Sequence, residues 1–138
     1  MTILLDLTVL GFAYHSLDLA DKTYLNRFST LITRLPNDLE IVITSVHRVE
    51  FGLDQIRAAL PPSWSHRVLD ETEYAWIRVL RIEEQEIAMY LLQHHDKAPF
   101  FVLGPVGPPE IMRGKPAITW IKTSILDLEA QEALWAVL

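Results

Sequence analysis

The stretch TILLDLTVL, residues 2–10, decides where the fold begins. Its first half is a short apolar run, and such a run predicts a buried β-strand over residues 2–5. Asp6 stands where that strand should end, although a buried strand has no use for an unpaired charge. Whether Asp6 has a chemical role therefore depends on what the rest of the chain places beside it.

Strand and helix signals alternate along the remainder of the chain. Helices are predicted where apolar residues recur at three- and four-residue spacing, as Leu25, Phe28 and Leu31 do, and strands where short apolar runs lie between turn residues. The predicted strands cover residues 2–5, 40–44, 67–69, 99–103 and 117–121. The predicted helices cover residues 19–35, 53–60, 82–95 and 126–138, and residues 104–116 form a loop rich in glycine and proline.

Strands that alternate with helices predict a parallel sheet with helices on both faces. Right-handed crossovers favour a doubly wound, Rossmann-like α/β sheet of five strands in the order 3-2-1-4-5. We expect residues 1–138 to form a single domain without a cap, because the loop after Asp6 is too short to hold one. Sites in such sheets lie beyond the carboxyl ends of the strands, where Asp6, Thr44, Ser45 and Gly104 all stand.

The composition limits the classes of function. The chain has 138 residues and is 50% hydrophobic, which fits one domain with one core. It has no cysteine, which excludes disulfides and cysteine-ligated zinc, and the sequence predicts neither a membrane span nor a signal peptide. The net charge of −6 argues against a nucleic-acid partner. We therefore expect a cytoplasmic protein that binds neither membrane nor nucleic acid.

Four motifs, taken in order, carry a resemblance to a known family. They are ILLDLTVL at residues 3–10, LEIVITSVHR at residues 39–48, LDQIRAALPPSWSHRVL at residues 53–69 and EIAMYLLQHHDKAPFFVLG at residues 86–104. Their order and spacing resemble the haloacid dehalogenase-like (HAD) superfamily, in particular its small members without a cap domain that are associated with nucleic-acid repair proteins. The resemblance covers nearly the whole chain.

The resemblance implies a phosphoryl-transfer site with a role for each matching residue. In the family, an aspartate at the position of Asp6 attacks phosphorus and forms an aspartyl-phosphate. The residue two positions later is the general acid and base; here it is Thr8, which has no useful pKa for that role. A hydroxyl after the second strand, here Thr44 or Ser45, binds the phosphoryl group, and a Lys or Arg, for which Arg81 is the candidate, neutralises its charge.

Magnesium binding is the part of the family pattern from which this sequence departs most. The resemblance implies that Asp6 and carboxylates after the fourth strand hold Mg²⁺. Gly104 and Pro105 stand in place of those carboxylates, and Glu110, the only acidic residue in the following loop, is the candidate metal ligand beside Asp6. Glu83 also falls where the family pattern would place an arginine.

These departures predict a degenerate phosphatase site. We expect a non-catalytic protein that binds a protein partner or a phosphorylated small molecule and needs no cofactor. The segment around Trp76, residues 71–80, is a candidate surface for a partner. The alternative is a Mg²⁺-dependent phosphohydrolase or phosphotransferase that uses Asp6 as its nucleophile. The sequence leaves the oligomeric state open.

The same polar residues also have interpretations that do not involve phosphate. Asp6 can cap the turn that follows it by accepting backbone N–H groups, and Thr44 and Ser45 can cap the next turn in the same way. His15 and His47 both follow strands that end at the edge where Asp6 stands, so the three side chains are a candidate metal triad.

Overall fold

The five predicted strands form one sheet in the computed structural model, which describes residues 1–19, 21–73, 82–108, 112 and 117–138. All strand pairs in the sheet are parallel, and the strands, numbered along the chain, lie in the order 3-2-1-4-5. The predicted α/β class and the predicted strand order are therefore confirmed. The strands are β1 (Thr2–Leu5), β2 (Glu40–Ile43), β3 (Val68–Glu71), β4 (Phe100–Gly104) and β5 (Ile118–Lys122).

Six α-helices surround the sheet in the described part of the chain. The first helix, α1 (Thr23–Ile32), begins four residues later than predicted. The Asp21 carboxylate accepts hydrogen bonds from the N–H of Thr23 at 2.9 Å and from its hydroxyl at 2.6 Å, and these bonds fix the first turn. Among the described residues, no helix has the length and apolar character needed to cross a membrane. The helices are α1 (Thr23–Ile32), α2 (His47–Glu50), α3 (Leu53–Ala59), α4 (Pro62–Ser65), α5 (Ile82–Gln93) and α6 (Leu128–Val137), and short 3-10 helices cover Leu7–Leu10 and His95–Lys97.

The central strands β1, β2 and β4 are buried on both faces, which explains why they are almost entirely apolar. On β1, Ile3 and Leu5 face one side and pack in a cluster that includes Phe28 of α1. Leu4 faces the opposite side and packs in a second cluster that includes Leu91 of α5. The alternation follows from the two-residue period of a strand. Each fully buried Leu or Ile contributes roughly 1.5–3 kcal/mol to folding.

The register of the central strands positions the candidate site. Leu5 at the end of β1 is level with Ile43 of β2 on one side and with Leu103 of β4 on the other. The residues that follow, Asp6 and Thr44, therefore emerge at the same edge of the sheet. This edge is the one that the parallel arrangement predicts for a site.

Candidate functional site

Backbone hydrogen bonds hold the ends of the three central strands together. The Asp6 N–H donates to the Leu103 carbonyl at 3.0 Å, and the Thr44 N–H donates to the Leu5 carbonyl at 3.0 Å. Gly104 is close enough to Asp6 that an ideal Cβ on the glycine would lie 3.1 Å from the Asp6 Cβ. The structure thus brings Asp6, Thr44 and Gly104 together, and it leaves almost no space for a side chain at position 104.

Asp6 caps the 3-10 helix that follows it, and only 2% of the Asp6 surface is exposed to solvent. Its Oδ1 accepts the Thr8 N–H at 2.9 Å and the Thr8 hydroxyl at 2.6 Å. Gly11 ends the turn with a φ of 97°, in the left-handed region that glycine adopts without strain. The capping contact expected for Asp6 is therefore present. Thr8, at the position that the resemblance assigns to the acid and base, is a hydrogen-bond donor to Asp6.

Glu83, in the first turn of α5, brings a second carboxyl group to Asp6. The two side chains are hydrogen-bonded to each other, and the Thr44 hydroxyl donates to Glu83 Oε1 at 3.4 Å, a long contact. Burial, followed by the hydrogen bond and the negative charge of Asp6, raises the pKa of Glu83 from 4.5 to about 9. Glu83 is therefore protonated at neutral pH and donates to the Asp6 carboxylate. A neutral acid stands where the resemblance would place an arginine.

Arg48 of α2 is a buried cation that ties β2, β3 and α5 together. Its Nε donates to the Thr72 carbonyl at 2.8 Å, and its Nη1 donates to the carbonyls of Thr44 and Ser45 at 2.8 and 2.7 Å. Its Nη2 lies 2.6 Å from Glu86 Oε1, and both side chains are 3% exposed. The charge of Arg48 is therefore balanced within the fold by Glu86. Arg48 is not among the residues that the sequence predicts for the site, although it is the last residue of the second-strand motif.

The hydroxyl of Ser45 is also used within the fold. Ser45 Oγ accepts the Leu7 N–H at 3.2 Å and lies 2.9 Å from His47 Nδ1. The other ring nitrogen of His47 is hydrogen-bonded to the Ala13 carbonyl, so it donates, and Nδ1 accepts the Ser45 hydroxyl. Ser45 and His47 are both buried. Of the two candidate hydroxyls, Thr44 is the one that contacts Glu83.

The structure does not assemble the candidate metal triad of Asp6, His15 and His47. No group of three or more His, Cys, Asp or Glu side chains suited to a metal ion occurs among the residues that the structure describes. His47 is held by Ser45 and Ala13. The side chain of His15 is 74% exposed and is hydrogen-bonded to Glu50 at the surface.

Three residues singled out in the sequence, Arg81, Glu110 and Trp76, lie outside the described residues. The roles expected for Arg81 in phosphate binding, for Glu110 in metal binding and for Trp76 in partner binding therefore stay predictions.

A separate groove of about 210 Å³ lies between β3 and α5. In it, the Tyr90 hydroxyl donates to Asp70 Oδ2 at 3.1 Å, and the Tyr90 ring stacks on His94 with 4.0 Å between centroids. Burial raises the pKa of Glu71, Arg48 opposes that shift, and the charge of Asp70 adds to it. The negative charge of this groove does not suit a phosphorylated ligand. The groove is lined by Asp70, Glu71, Glu73, Glu86, Met89, Tyr90, Gln93 and His94.

Comparisons of the chain with protein-family models, with curated proteins and with solved structures give no match. The fold class therefore rests on the strand order and the parallel pairing, and the function rests on the geometry around Asp6.

Proposed function

We propose that this chain is a HAD-like domain with a degenerate phosphatase site and that it acts by binding a protein partner without turnover. The observation that carries the proposal is the burial of Asp6, which is 2% exposed. A nucleophile must present an oxygen in line with the group that leaves phosphorus. Asp6 instead accepts two hydrogen bonds from Thr8 on Oδ1 and a further one from Glu83.

The charges around Asp6 also support a non-catalytic site. A transferring phosphoryl group carries negative charge that a cation or Mg²⁺ must balance. Among the described residues beside Asp6, Glu83 is an acid, and the cation Arg48 is paired with Glu86. Gly104 offers no carboxylate to a metal ion. Phosphoryl transfer would therefore lack electrostatic support from this part of the chain.

The class of partner follows from charge. The chain has a net charge of −6, and its groove between β3 and α5 is lined by four carboxylates, from Asp70, Glu71, Glu73 and Glu86. Negative surfaces repel phosphate groups, so we favour a protein partner over a phosphorylated small molecule and over nucleic acid. A cytoplasmic location and independence of cofactors are further parts of the proposal that derive from the sequence.

A Mg²⁺-dependent phosphohydrolase or phosphotransferase is the second candidate. It is favoured by the adjacency of Asp6 and Thr44 at the carboxyl edge of the sheet, which an aspartyl-phosphate mechanism requires. In this candidate, Glu110 completes the metal site with Asp6, and Arg81 balances the charge of the phosphoryl group. Opening of the contact between Asp6 and Glu83 is then a condition for activity.

A hydrolysis assay separates the two candidates. The purified protein is incubated with para-nitrophenyl phosphate and excess Mg²⁺, with Asp6→Asn as a control of nearly the same shape. We expect no release of nitrophenol above that of Asp6→Asn, and no Mg²⁺-dependent rise in Tm, because an ion that does not bind the native state does not stabilise it. Turnover that Mg²⁺ stimulates and that Asp6→Asn abolishes would establish the enzyme instead.

A further inference from the structure

The Glu83 side chain contacts both of the residues that the resemblance assigns to the phosphoryl group. It is hydrogen-bonded to Asp6, and its Oε1 accepts the Thr44 hydroxyl at 3.4 Å. A bound phosphoryl group would meet the same two partners, with one oxygen accepting from the hydroxyl after β2 and the group lying against the carboxylate after β1. The Glu83 side chain therefore makes the two contacts that such a group would make.

We propose that the Glu83 carboxyl group occupies the oxyanion subsite between Asp6 and Thr44, so that the protein carries its own ligand there and excludes phosphate. The inference rests on the proposed function, because it supplies the physical reason why the site does not turn over.

The N-terminus of α5 favours this arrangement. Glu83 lies in the first turn of a helix of twelve residues, where unpaired backbone N–H groups favour acceptor oxygens and bound anions. The Glu83 carboxyl group thus lies at the end of the helix that would otherwise stabilise a bound phosphate.

The ion pair one turn further along α5 fixes the direction of Glu83. Glu83 and Glu86 are three residues apart and so lie on the same face of the helix. The buried contact of 2.6 Å between Glu86 and Arg48 holds that face against α2, which follows directly on Thr44 and Ser45. Glu83 is therefore an anchored occupant of the subsite.

Binding of inorganic phosphate to variants tests the inference. All variants carry Asp6→Asn, which removes the charge that would repel phosphate and keeps the shape of the side chain. Onto this background we add Glu83→Lys, which removes the occupant and supplies a cation, or Gln85→Lys, which adds the same charge at an exposed position of the same helix turn. Binding is measured by isothermal titration calorimetry without Mg²⁺.

We expect Asp6→Asn/Glu83→Lys to bind phosphate at least about tenfold more tightly than Asp6→Asn/Gln85→Lys, as one charge-assisted hydrogen bond provides. Asp6→Asn alone should bind no more tightly than the Gln85→Lys control, because Glu83 still fills the subsite. Phosphate binding by Asp6→Asn alone that matches the Glu83→Lys variant would overturn the inference.

A variant with a smaller side chain at position 83 tests the inference if the Glu83→Lys protein does not fold. Asp6→Asn/Glu83→Ala removes the occupant without adding a buried amine and should also bind phosphate more tightly than Asp6→Asn alone. If neither of the folded Glu83 variants gains phosphate affinity, no oxyanion subsite lies beneath Glu83 and the inference is wrong, while the proposed function stands. Mg²⁺-dependent turnover by the unmodified protein is a different result, because it overturns the proposed function itself.

Discussion

Helix α5 presents two carboxyl groups one turn apart, the buried one of Glu86 and the half-buried one of Glu83, and the groups that they face carry opposite charge. Glu86 faces the guanidinium of Arg48 at 2.6 Å, whereas Glu83 faces the carboxyl group of Asp6. The first pair is neutral because its charges cancel. The second pair avoids a double negative charge because it keeps one proton. On the same helix face, one carboxyl group is thus balanced by a cation and the other by a proton. The two pairs should respond differently to mutation and to pH.

Removal of the cation from the first pair should have the largest effect. Arg48→Leu removes the guanidinium that lies 2.6 Å from the buried Glu86 carboxylate and takes donors away from three carbonyl groups. We expect a loss of about 3–5 kcal/mol in the free energy of unfolding, measured by urea denaturation. Lys97→Leu is the matched control, because it breaks the half-exposed ion pair with Glu40 and should cost less than about 1 kcal/mol. Equal losses in the two variants would show that the Arg48 pair does not organise the site.

The second pair should make stability depend on pH. In the folded state Glu83 keeps its proton up to about pH 9, whereas in the unfolded chain it releases the proton near its ordinary pKa of 4.5. The stabilisation from the shared proton is therefore fully present below about pH 4.5 and is lost as the pH rises towards 9. We expect the free energy of unfolding to fall in this window by roughly 1 kcal/mol per pH unit from this group.

Glu83→Gln isolates that dependence, because glutamine keeps the shape and the donor but has no proton to lose. The difference in unfolding free energy between the unmodified protein and Glu83→Gln should shrink or reverse as the pH rises from 5 to 9, and urea denaturation at several pH values measures it. Parallel pH profiles for the two proteins would mean that Asp6 and Glu83 do not share a proton.

Crowding at Asp6 should have an intermediate effect. Gly104→Ala places a methyl group 3.1 Å from the Asp6 Cβ, so β1 and β4 must shift by a few tenths of an ångström. We expect a loss of about 2 kcal/mol, as in other overpacked cores, with a corresponding fall in Tm. Gly107→Ala is the control, because its Cβ would meet only the flexible end of Lys122 at 3.7 Å. A neutral Gly104→Ala variant would mean that the strand ends are less tightly packed than the structure shows.

Loss of the Thr8 hydroxyl should have the smallest effect. Thr8→Val removes the donor that lies 2.6 Å from Asp6 Oδ1 but leaves the Thr8 N–H bond to the same oxygen. We expect a loss of about 1 kcal/mol in thermal or urea unfolding, because Thr8 is partly exposed and the net value of one hydrogen bond is small. Thr8→Ser keeps the hydroxyl and should lie closer to the unmodified protein than Thr8→Val does.

The sequence predicted the sheet well because a strand of a parallel sheet is apolar on both faces and polar at its ends. The run at β1 and the run at β2 each end at a polar residue, Asp6 and Thr44, and these are the residues that the structure brings together. Helices α2 and α4 were missed, since four residues are too few to show a helical period.

The contact between Asp6 and Glu83 could not be predicted in the same way. The sequence distinguishes Glu83 only because the resemblance places an arginine at its position. The residues around Glu83 do not indicate which strand end the start of α5 will face. The hydrogen-bond partners of Arg48 could not be predicted either, because every residue has a backbone carbonyl group and the sequence does not show which of them accepts a side-chain donor. Periodicity predicts which residues are buried, whereas the pairing of buried polar groups depends on how distant elements pack.

Gly104 has a consequence for the mutational routes open to this protein. The resemblance places a carboxylate for a metal ion at the end of β4, but any side chain at position 104 competes for space with the Asp6 Cβ, which would lie 3.1 Å away. A single substitution to aspartate would therefore add a carboxylate and displace Asp6 in the same step, so the gain and the disturbance oppose each other. Random mutagenesis with selection for phosphatase activity should seldom succeed at position 104 alone. We expect recovered variants to carry a second, space-making change in β1 or β4.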